Sequence, residues 1–334
     1  MRETVAPVRI RDLNQALIPA PSWFPRASVM SSDAREGQPL SHNRSFASAS
    51  WWSAGLAALL ALIAGGCVKK VQVPDESIRK ALEVEQTGVV AVATALDDSP
   101  THVTLCSGAL VAPNLVLTAR HCVSRAVTAT PSCDARGQSH NGEHLAEDAD
   151  PSSIAIYVGA HVHPDIDAPR AHAIRTLHPT GRVLCDADVA FLVLDRPLTN
   201  VTILPIRLHA SVEPGDLVVP IGFGGGSANV VGKRVARDRS IVLATGPASN
   251  SETGAVLGPR EFEVDSATCR GDSGGPALDV RTGEIVGVVS RGGSCWASGN
   301  HVYTRVDAYA KLAAAAFHSA QRATRDQVQT ARNP

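Results

Sequence analysis

The segment TCRGDSGGPAL, residues 268–278, places Ser273 among glycines and directly after Asp272. A serine hydroxyl is a weak nucleophile until a histidine accepts its proton, and a carboxylate usually orients that histidine. Small neighbours leave the backbone N–H groups beside such a serine accessible to a substrate. The segment also fits G-x-S-x-G, the nucleophile elbow in which the serine lies on a turn between a strand and a helix. The chemistry indicated is acyl transfer, on one of two scaffolds.

One of the twelve histidines stands out as the base. His121 follows the apolar strand-like run in VLTARHC, residues 116–122. Asp188 lies in CDADVAFLVL, residues 185–194, where an apolar run follows it, and Asp186 is the alternative. An acid just before a buried strand would lie at the edge of the core. The chain therefore carries a histidine, an aspartate and a serine with the surroundings that nucleophilic catalysis needs.

The elements around these residues are predicted to be strands. After Gly275 the chain reads PALDVRTGEIVGVVS, two apolar runs about the turn RTGE, where an elbow would need a helix. Short β-branched runs such as VVAVATAL and VAFLVL recur between turn residues, which indicates an all-β domain. The one convincing helix is predicted for residues 307–325, which are rich in alanine. The missing helix argues against the nucleophile elbow. The order of the residues does so too, because α/β-hydrolases carry the serine before the aspartate and the histidine, whereas Ser273 comes last here.

The histidine, aspartate and serine segments, in this order, resemble those of the chymotrypsin/trypsin-like (S1-type) serine protease family. The resemblance spans roughly residues 85–318. It implies an all-β fold of two six-stranded antiparallel β-barrels with a C-terminal helix, and a cleft between the barrels. It also implies a serine endopeptidase that acts on protein or peptide substrates. The alternatives are a catalytically silent binding module with this fold and an esterase that uses the same residues.

The resemblance gives each residue of the motifs a role. His121 would be the general base, Asp188 would orient it, and Ser273 would attack the peptide carbonyl. The backbone N–H groups of Gly271 and Ser273 would form the oxyanion hole. Asp272 would hold the serine loop in its active shape.

Two further segments resemble the family less specifically. Ser290, in VVSRGG, stands where the family hydrogen-bonds the catalytic aspartate, and Arg291 and Gly292 would pair with the substrate backbone as an added strand. IGFGGGS, residues 221–227, resembles the family's Gly-aromatic-Gly turn. Nothing around it predicts the βαβ unit of a dinucleotide site.

The chain departs from the family's usual pattern of activation. Relatives are often made as zymogens, in which a newly cut Ile-Val-Gly-Gly terminus pairs with the aspartate before the serine. The chain contains no such tetrapeptide; Ile78 stands at about the right distance, but without a basic residue before it. Either Asp272 has another partner or activation works differently.

The expected substrate pocket departs from the trypsin pattern. Ala267 lies two residues before Cys269, where trypsin-like enzymes carry aspartate, so a preference for Arg or Lys is not supported. His301 would lie on the far wall of the pocket and Arg270 at its rim. We favour a neutral pocket, narrowed by His301, that accepts small apolar side chains. The competing hypothesis is that the two basic groups select an acidic side chain.

The chain contains seven cysteines, an odd number. The resemblance implies one disulfide beside the histidine and another between the serine loop and the pocket wall, with free thiols as the alternative. The implied pairs are Cys106–Cys122 and Cys269–Cys295. Cys133 and Cys185 remain and could pair with each other, which leaves Cys67.

The segment WWSAGLAALLALIAGGC, residues 51–67, has the layout of a secretion signal. Its apolar run of fourteen residues is shorter than the roughly 20 that a spanning helix needs. The cysteine after two glycines resembles the lipobox of bacterial lipoproteins, in which Cys67 would be lipidated. We therefore expect export, to the outer membrane or cell surface as a lipoprotein, or otherwise to the periplasm or the medium. The alternatives are an uncleaved anchor and a signal cut elsewhere.

The organisation predicted from these segments has four parts. They are a disordered leader and signal peptide (1–66), a tether (67–85), the protease domain (86–318) and a helix end with tail (319–334). Thirty-one basic residues nearly offset 32 acidic ones, so no nucleic-acid partner is expected. Membrane contact is expected only through Cys67, and the protein is expected to be a monomer. In the loop of residues 124–182, His161 and His163 could ligate a metal and the carboxylates could hold Ca²⁺, but the spacing matches no known site. A solvated loop is favoured, and no metal or cofactor is expected.

Overall fold

The computed structural model describes residues 86–95, 103–128, 130–225, 231–265, 268–292, 295 and 299–332. The expected leader, signal and tether, with Cys67 and Ile78, lie outside these ranges, as does Ala267. The strands of the first half are β1 (Val89–Ala95), β2 (Val103–Ala112), β3 (Leu115–Thr118), β4 (Ser124–Ala126), β5 (Leu145–Asp148), β6 (Ile154–Tyr157), β7 (Ala171–Leu177) and β8 (Ala190–Leu194). The strands of the second half are β9 (Leu217–Gly222), β10 (Val235–Ala236), β11 (Ser240–Thr245), β12 (Ala248–Ser249), β13 (Val256–Leu257), β14 (Glu261–Val264), β15 (Pro276–Asp279), β16 (Ile285–Gly292) and β17 (His301–Arg305). The α-helix α1 spans Ala310–Arg332.

The first barrel is formed by six antiparallel strands. They pair in the order β1, β2, β3, β8, β7 and β6, and β6 pairs back with β1. Closure leaves no strand edge unpaired around the sheet. Its core is built from aliphatic side chains with few aromatics, and Phe191, Leu117 and Leu192 are among those fully buried. The β4–β5 hairpin lies outside this closed sheet.

The second barrel closes through the strand nearest the serine. Its strands pair in the order β9, β11, β14, β17, β16 and β15, and β15 pairs back with β9. The short strand β10 pairs with β9 from outside this ring. Phe262 and Tyr303 stack in its core with ring centroids 5.1 Å apart. The expected fold of two six-stranded antiparallel barrels with a C-terminal helix is confirmed.

The helix α1 begins later and ends later than the sequence predicts. Asp307–Tyr309 form a 3₁₀ turn, and the α-helix continues to Arg332, since residues 326–332 contain no glycine or proline that would end it. Ala313, Ala316 and Ala320 are buried on one face, at the spacing of an amphipathic helix. Within the described ranges, no helix combines the length and the apolar character needed to cross a bilayer.

Candidate active site

The histidine and the aspartate come from two paired strands of the first barrel. His121 lies in a 3₁₀ turn directly after β3, and Asp188 lies just before β8. Because Thr118 pairs with Ala190 in these antiparallel strands, the end of β3 meets the start of β8. Ser273 lies in the loop before β15, on the second barrel. Two of the three residues therefore come from the first barrel and one from the second.

Asp188 fixes His121 through two hydrogen bonds. Nδ1 of the ring lies 2.8 Å from Oδ2, and the backbone N–H of His121 donates to Oδ1 at 3.0 Å. The carboxylate is fully buried, whereas 22% of the histidine side chain is exposed. With Nδ1–H donated to Asp188, Nε2 is the nitrogen that can accept a proton.

Two hydroxyl groups of the second barrel hold the aspartate. Ser290 Oγ donates to Oδ2 of Asp188 at 2.6 Å, and Thr304 Oγ1 donates to its backbone carbonyl at 3.0 Å. Burial alone would raise the pKa of Asp188, but the charge of His121 and the hydrogen bonds from His121 and Ser290 outweigh it and hold that pKa below its usual value. Burial would lower the pKa of His121, but the charge and hydrogen bond of Asp188 outweigh it and raise that pKa.

Asp186, the alternative acid, is not the partner of His121. It adopts a left-handed backbone conformation with φ of 60°, and its carboxylate accepts the backbone N–H of Arg260. Burial raises the pKa of Asp186 to about 6. The carboxylate that contacts the histidine is that of Asp188.

The serine loop is hydrogen-bonded to the first barrel through Ser107 on β2. The backbone N–H of Ser107 donates to the carbonyl of Ser273 at 2.8 Å, and its Oγ donates to the carbonyl of Gly271 at 2.7 Å. Oγ also accepts the backbone N–H of Phe223 at 2.9 Å. Ser107 is fully buried. No motif in the sequence singles out Ser107, although it follows Cys106 directly.

The serine loop contains a glycine with a positive φ and two backbone N–H groups available to a ligand. Gly271 has a φ of 102°, a conformation that side-chain-bearing residues rarely adopt. Among the described residues, no group accepts a hydrogen bond from the backbone N–H of Gly271 or Ser273. These two N–H groups lie two positions apart in the chain, one of them on the serine itself, and such a pair suits a developing oxyanion.

His121 and Ser273 line one cleft of about 510 Å³. Both barrels contribute to its walls. The other lining residues are Ala126, Thr128, Pro131, Leu184, Thr268, Cys269, Arg270, Val289, Ser290, Arg291 and Gly292.

Comparison with known proteins decides the family. The family model described as Trypsin matches residues 85–313, more than half of the chain. The chain belongs to the trypsin family. By class it is therefore a serine endopeptidase.

Individual trypsins are similar over most of their length. The chain is 30% identical to trypsin-4 of Rattus norvegicus over 233 residues, which cover 66% of this chain and 82% of that one. It is 29% identical to trypsin-2 of Salmo salar over 210 residues, which cover 60% and 80%. Among solved structures it is similar to an inactivated protease paralogue of the scabies mite, with a TM-score of 0.51 and 19% identity over 71% of this chain and 96% of that one.

Three disulfides cross-link this trypsin-family domain, as expected. Their Cα–Cα distances are 6.0, 5.6 and 4.6 Å, for Cys106–Cys122, Cys133–Cys185 and Cys269–Cys295 respectively. Cys106, Cys122 and His121 are the one group in the described part of the chain whose atoms lie close enough to hold a metal ion. Because the two cysteines are bonded to each other, they offer no thiolate ligand.

The expected pocket residues differ in their access to the cleft. Arg270 is exposed and lines it. His301 is fully buried, and its Nδ1 lies 3.2 Å from Oγ1 of Thr268. Thr268 lines the cleft, whereas His301 is not among its described lining residues. His301 thus lies behind Thr268.

The charge of Arg291 is paired with a buried carboxylate, that of Glu261. Its Nη1 and Nη2 donate to the two carboxylate oxygens of Glu261 at 2.5 and 2.8 Å, and Nη2 also donates to the carbonyl of Val256. Glu261 is fully buried, so the pair is neutral and fixed. Arg291 and Gly292, at the end of β16, both line the cleft.

Proposed function

We propose that this protein hydrolyses peptide bonds with His121, Asp188 and Ser273 as a catalytic triad. The observation that carries the proposal is the double hydrogen bond between His121 and Asp188, in a cleft that Ser273 also lines. A carboxylate that holds both the ring and the main chain of a histidine leaves Nε2 in one orientation. That arrangement suits a general base for the serine hydroxyl.

The first half of the reaction forms an acyl-enzyme. Ser273 Oγ attacks the carbonyl carbon while its proton moves to Nε2 of His121, and the negative charge of Asp188 stabilises the imidazolium. The carbonyl oxygen becomes an oxyanion that accepts the backbone N–H groups of Gly271 and Ser273. Collapse breaks the C–N bond, and the leaving amine takes the proton from His121.

The second half returns the free enzyme. Water enters the site of the departed amine and gives a proton to His121 as its oxygen attacks the ester carbon. The same two N–H groups stabilise the second oxyanion. The C–O bond to Ser273 then breaks, and His121 returns the proton to the serine oxygen.

We favour small apolar side chains before the scissile bond. Thr268 separates His301 from the cleft, and Glu261 neutralises Arg291, so neither residue offers a free positive charge to a substrate. Arg270 is exposed at the rim, which keeps selection of an acidic side chain as the competing hypothesis. A peptide library distinguishes them: enrichment of Ala or Val supports the first, Asp or Glu the second, and Arg or Lys refutes both.

Labelling with a fluorophosphonate probe tests the triad directly. The wild-type protein should be labelled and should cleave casein, and Ser273→Ala should do neither. The matched control is Ser251→Ala, which removes an exposed serine and should leave labelling unchanged. A folded wild-type protein that is neither labelled nor active would support the silent binding module. Hydrolysis of nitrophenyl acetate without cleavage of casein would support the esterase.

We further propose a bacterial origin, export, and a lipid on Cys67. This part rests on the sequence of residues 51–67 and the odd number of cysteines. A mass spectrum of the mature chain should show a lipidated cysteine at its N-terminus; an unmodified terminus elsewhere would refute lipidation. We also propose that the protein is a monomer, which should elute from gel filtration at the size of one chain. We propose no nucleic-acid partner, so the elution volume should not change when DNA or RNA is added.

A further inference from the structure

Arg237 lies against the carboxylate that precedes the serine. It directly follows β10, and its backbone N–H donates to the carbonyl of Pro220 on β9 at 2.8 Å. Its side chain is 16% exposed, and that of Asp272 is 1% exposed. No motif in the sequence predicts a role for this arginine.

The two side chains form a two-point ion pair. Nε of Arg237 donates to Oδ2 of Asp272, and Nη2 donates to Oδ1, each at 2.9 Å. The planar guanidinium matches a carboxylate in this way, which fixes direction as well as charge. The pair is buried beside the loop that carries Ser273.

All acceptor positions of the Asp272 carboxylate are filled. Besides Arg237, Oδ1 accepts the backbone N–H of Gly224 at 2.8 Å, and Oδ2 accepts that of Cys269 at 2.7 Å. A carboxylate offers about four lone-pair sites. Four donors occupy them, and one positive charge balances the negative one. The Asp272 carboxylate therefore has no acceptor site left for a second positively charged group, such as a new N-terminus.

Arg237 also joins two loops. Its Nη2 donates to the carbonyl of Gly224 at 2.6 Å, while the N–H of Gly224 reaches Asp272. The turn at Gly224 and the loop at Asp272 are therefore held through one guanidinium. The N–H groups of Gly271 and Ser273 lie on either side of Asp272 along the chain, so its position sets theirs.

We propose that Arg237 is a positioning residue that builds the oxyanion hole into the fold, so that the chain is active without cleavage at its N-terminal side. This inference rests on the proposed function, because it concerns the loop of Ser273. In family members made as zymogens, a newly cut N-terminus supplies the positive charge that pairs with the aspartate before the serine. In this chain Arg237, a residue of the same domain, supplies that charge to Asp272. Arg237 touches no substrate and acts through Asp272.

The test uses the full chain, purified without protease treatment and checked intact by mass spectrometry. We expect the intact wild type to react with a fluorophosphonate probe. Arg237→Gln should lower the labelling rate and kcat for a peptide by 100-fold or more, the loss typical of a missing oxyanion donor, with KM changed less than fivefold. Arg237→Lys keeps the charge without the two-point geometry and should retain about a tenth of the wild-type kcat.

Arg207→Gln is the matched control. Arg207 and Asp279 form another buried pair, at 2.5 Å, and Arg207 also contacts Glu284. This pair lies outside the cleft lining. Its loss should lower the melting temperature and leave the labelling rate of the folded protein within threefold of wild type.

Each outcome decides the inference. It is supported if Arg237→Gln is folded and unreactive while Arg207→Gln is folded and reactive. It is overturned if Arg237→Gln labels within threefold of wild type, or if the wild type reacts only after cleavage; in both cases the proposed function stands. If Arg237→Gln does not fold, Arg237→Lys decides, because an unchanged kcat there overturns the inference. A wild type that stays unreactive both intact and cut refutes the proposed function itself.

Discussion

Ser290 Oγ lies 2.6 Å from Oδ2 of Asp188, the oxygen that also receives the ring of the catalytic histidine candidate. The other oxygen of this carboxylate accepts a backbone N–H, so the buried charge is satisfied on both sides. Ser290 belongs to β16 of the second barrel, whereas Asp188 precedes a strand of the first. The hydrogen bond therefore spans the two barrels at the point where the chemistry would occur.

Replacing Ser290 with alanine should remove one of the hydrogen bonds that stabilise the charged carboxylate of Asp188. A hydrogen bond to a charged group contributes about 1.5–3 kcal/mol, so we expect kcat/KM to fall roughly 10- to 100-fold. The pKa of Asp188, which the hydrogen bond helps to depress, should rise. A carboxylate whose pKa is depressed on folding stabilises the protein at pH values above its unfolded-state pKa. This stability is lost as the pH falls through the folded-state pKa, so the variant, whose folded-state pKa is higher, should lose it at a higher pH. Melting curves from pH 7 to pH 3 measure this.

Thr304→Val is the control for that variant. Thr304 donates to the backbone carbonyl of Asp188 and not to its carboxylate. Its loss should lower the melting temperature without moving the acid limb of the stability profile. Equal acid limbs in the two variants would contradict the role given to Ser290.

The raised pKa of His121 predicts the pH dependence of activity. A general base must be neutral, so the acid limb of kcat/KM should be centred above the ordinary histidine value of about 6.5. The same shift makes the His121–Asp188 pair most stabilising below the unfolded-state pKa, with the contribution lost as pH rises through the folded pKa. Asp188→Asn should lower the midpoint and reduce kcat about 10⁴-fold. An acid limb in the wild type at or below 6.5 would argue against the pair.

Local runs of apolar residues in the sequence predict most of the strands. They do not predict strands that form mainly because neighbouring strands pair with them. Runs such as those of β1 and β8 are continuous and apolar, and they form the expected strands. The sequence analysis missed β2, because Ser107 and Gly108 interrupt its apolar run. That strand is held by pairing with β1 and β3 on its two sides, which overrides weak local preference. The strand β7 was missed because only Ala171 and Ala173 of its seven residues are buried, and polar residues interrupt its apolar ones.

The same distinction separates the site residues that motifs reveal from those they do not. His121, Asp188 and Ser273 lie in segments whose composition reflects their setting. Ser107 and Arg237 have no such local signal, because their roles arise when distant segments meet. Ser107 contacts a residue 164 positions away. Nothing in the spacing of 31 basic residues singles out the arginine that meets Asp272.

Gly224→Ala should disturb the serine loop by overpacking. A Cβ there would lie 2.7 Å from the backbone nitrogen and from Cγ of Asp272, and neither can move freely because the carboxylate is buried. Overpacking of this kind costs about 1–3 kcal/mol, and we expect the fluorophosphonate labelling rate to fall at least tenfold. Gly215→Ala is the control, since its φ of 92° adds strain of about 1–2 kcal/mol while no atom lies within 4 Å. If both variants lose stability but label alike, the close approach to Asp272 has no role in the site.

Removing the Cys133–Cys185 disulfide should separate the effect of this loop on stability from its effect on substrate binding. The bridge closes a loop of 52 residues, and the chain-entropy account predicts a loss of about 4 kcal/mol in the free energy of unfolding for Cys133→Ala/Cys185→Ala.

Cys133 lines a second cavity of about 390 Å³, which shares Pro131, Arg291 and Gly292 with the cleft. A long peptide lying along the cleft should therefore lose affinity, with a several-fold rise in KM, whereas nitrophenyl acetate needs only the triad and should be hydrolysed at nearly the wild-type rate. Steady-state kinetics on both substrates, at a temperature where the variant is folded, test this. Equal losses on the two substrates would mean that the loop supports the triad and not the binding of the peptide.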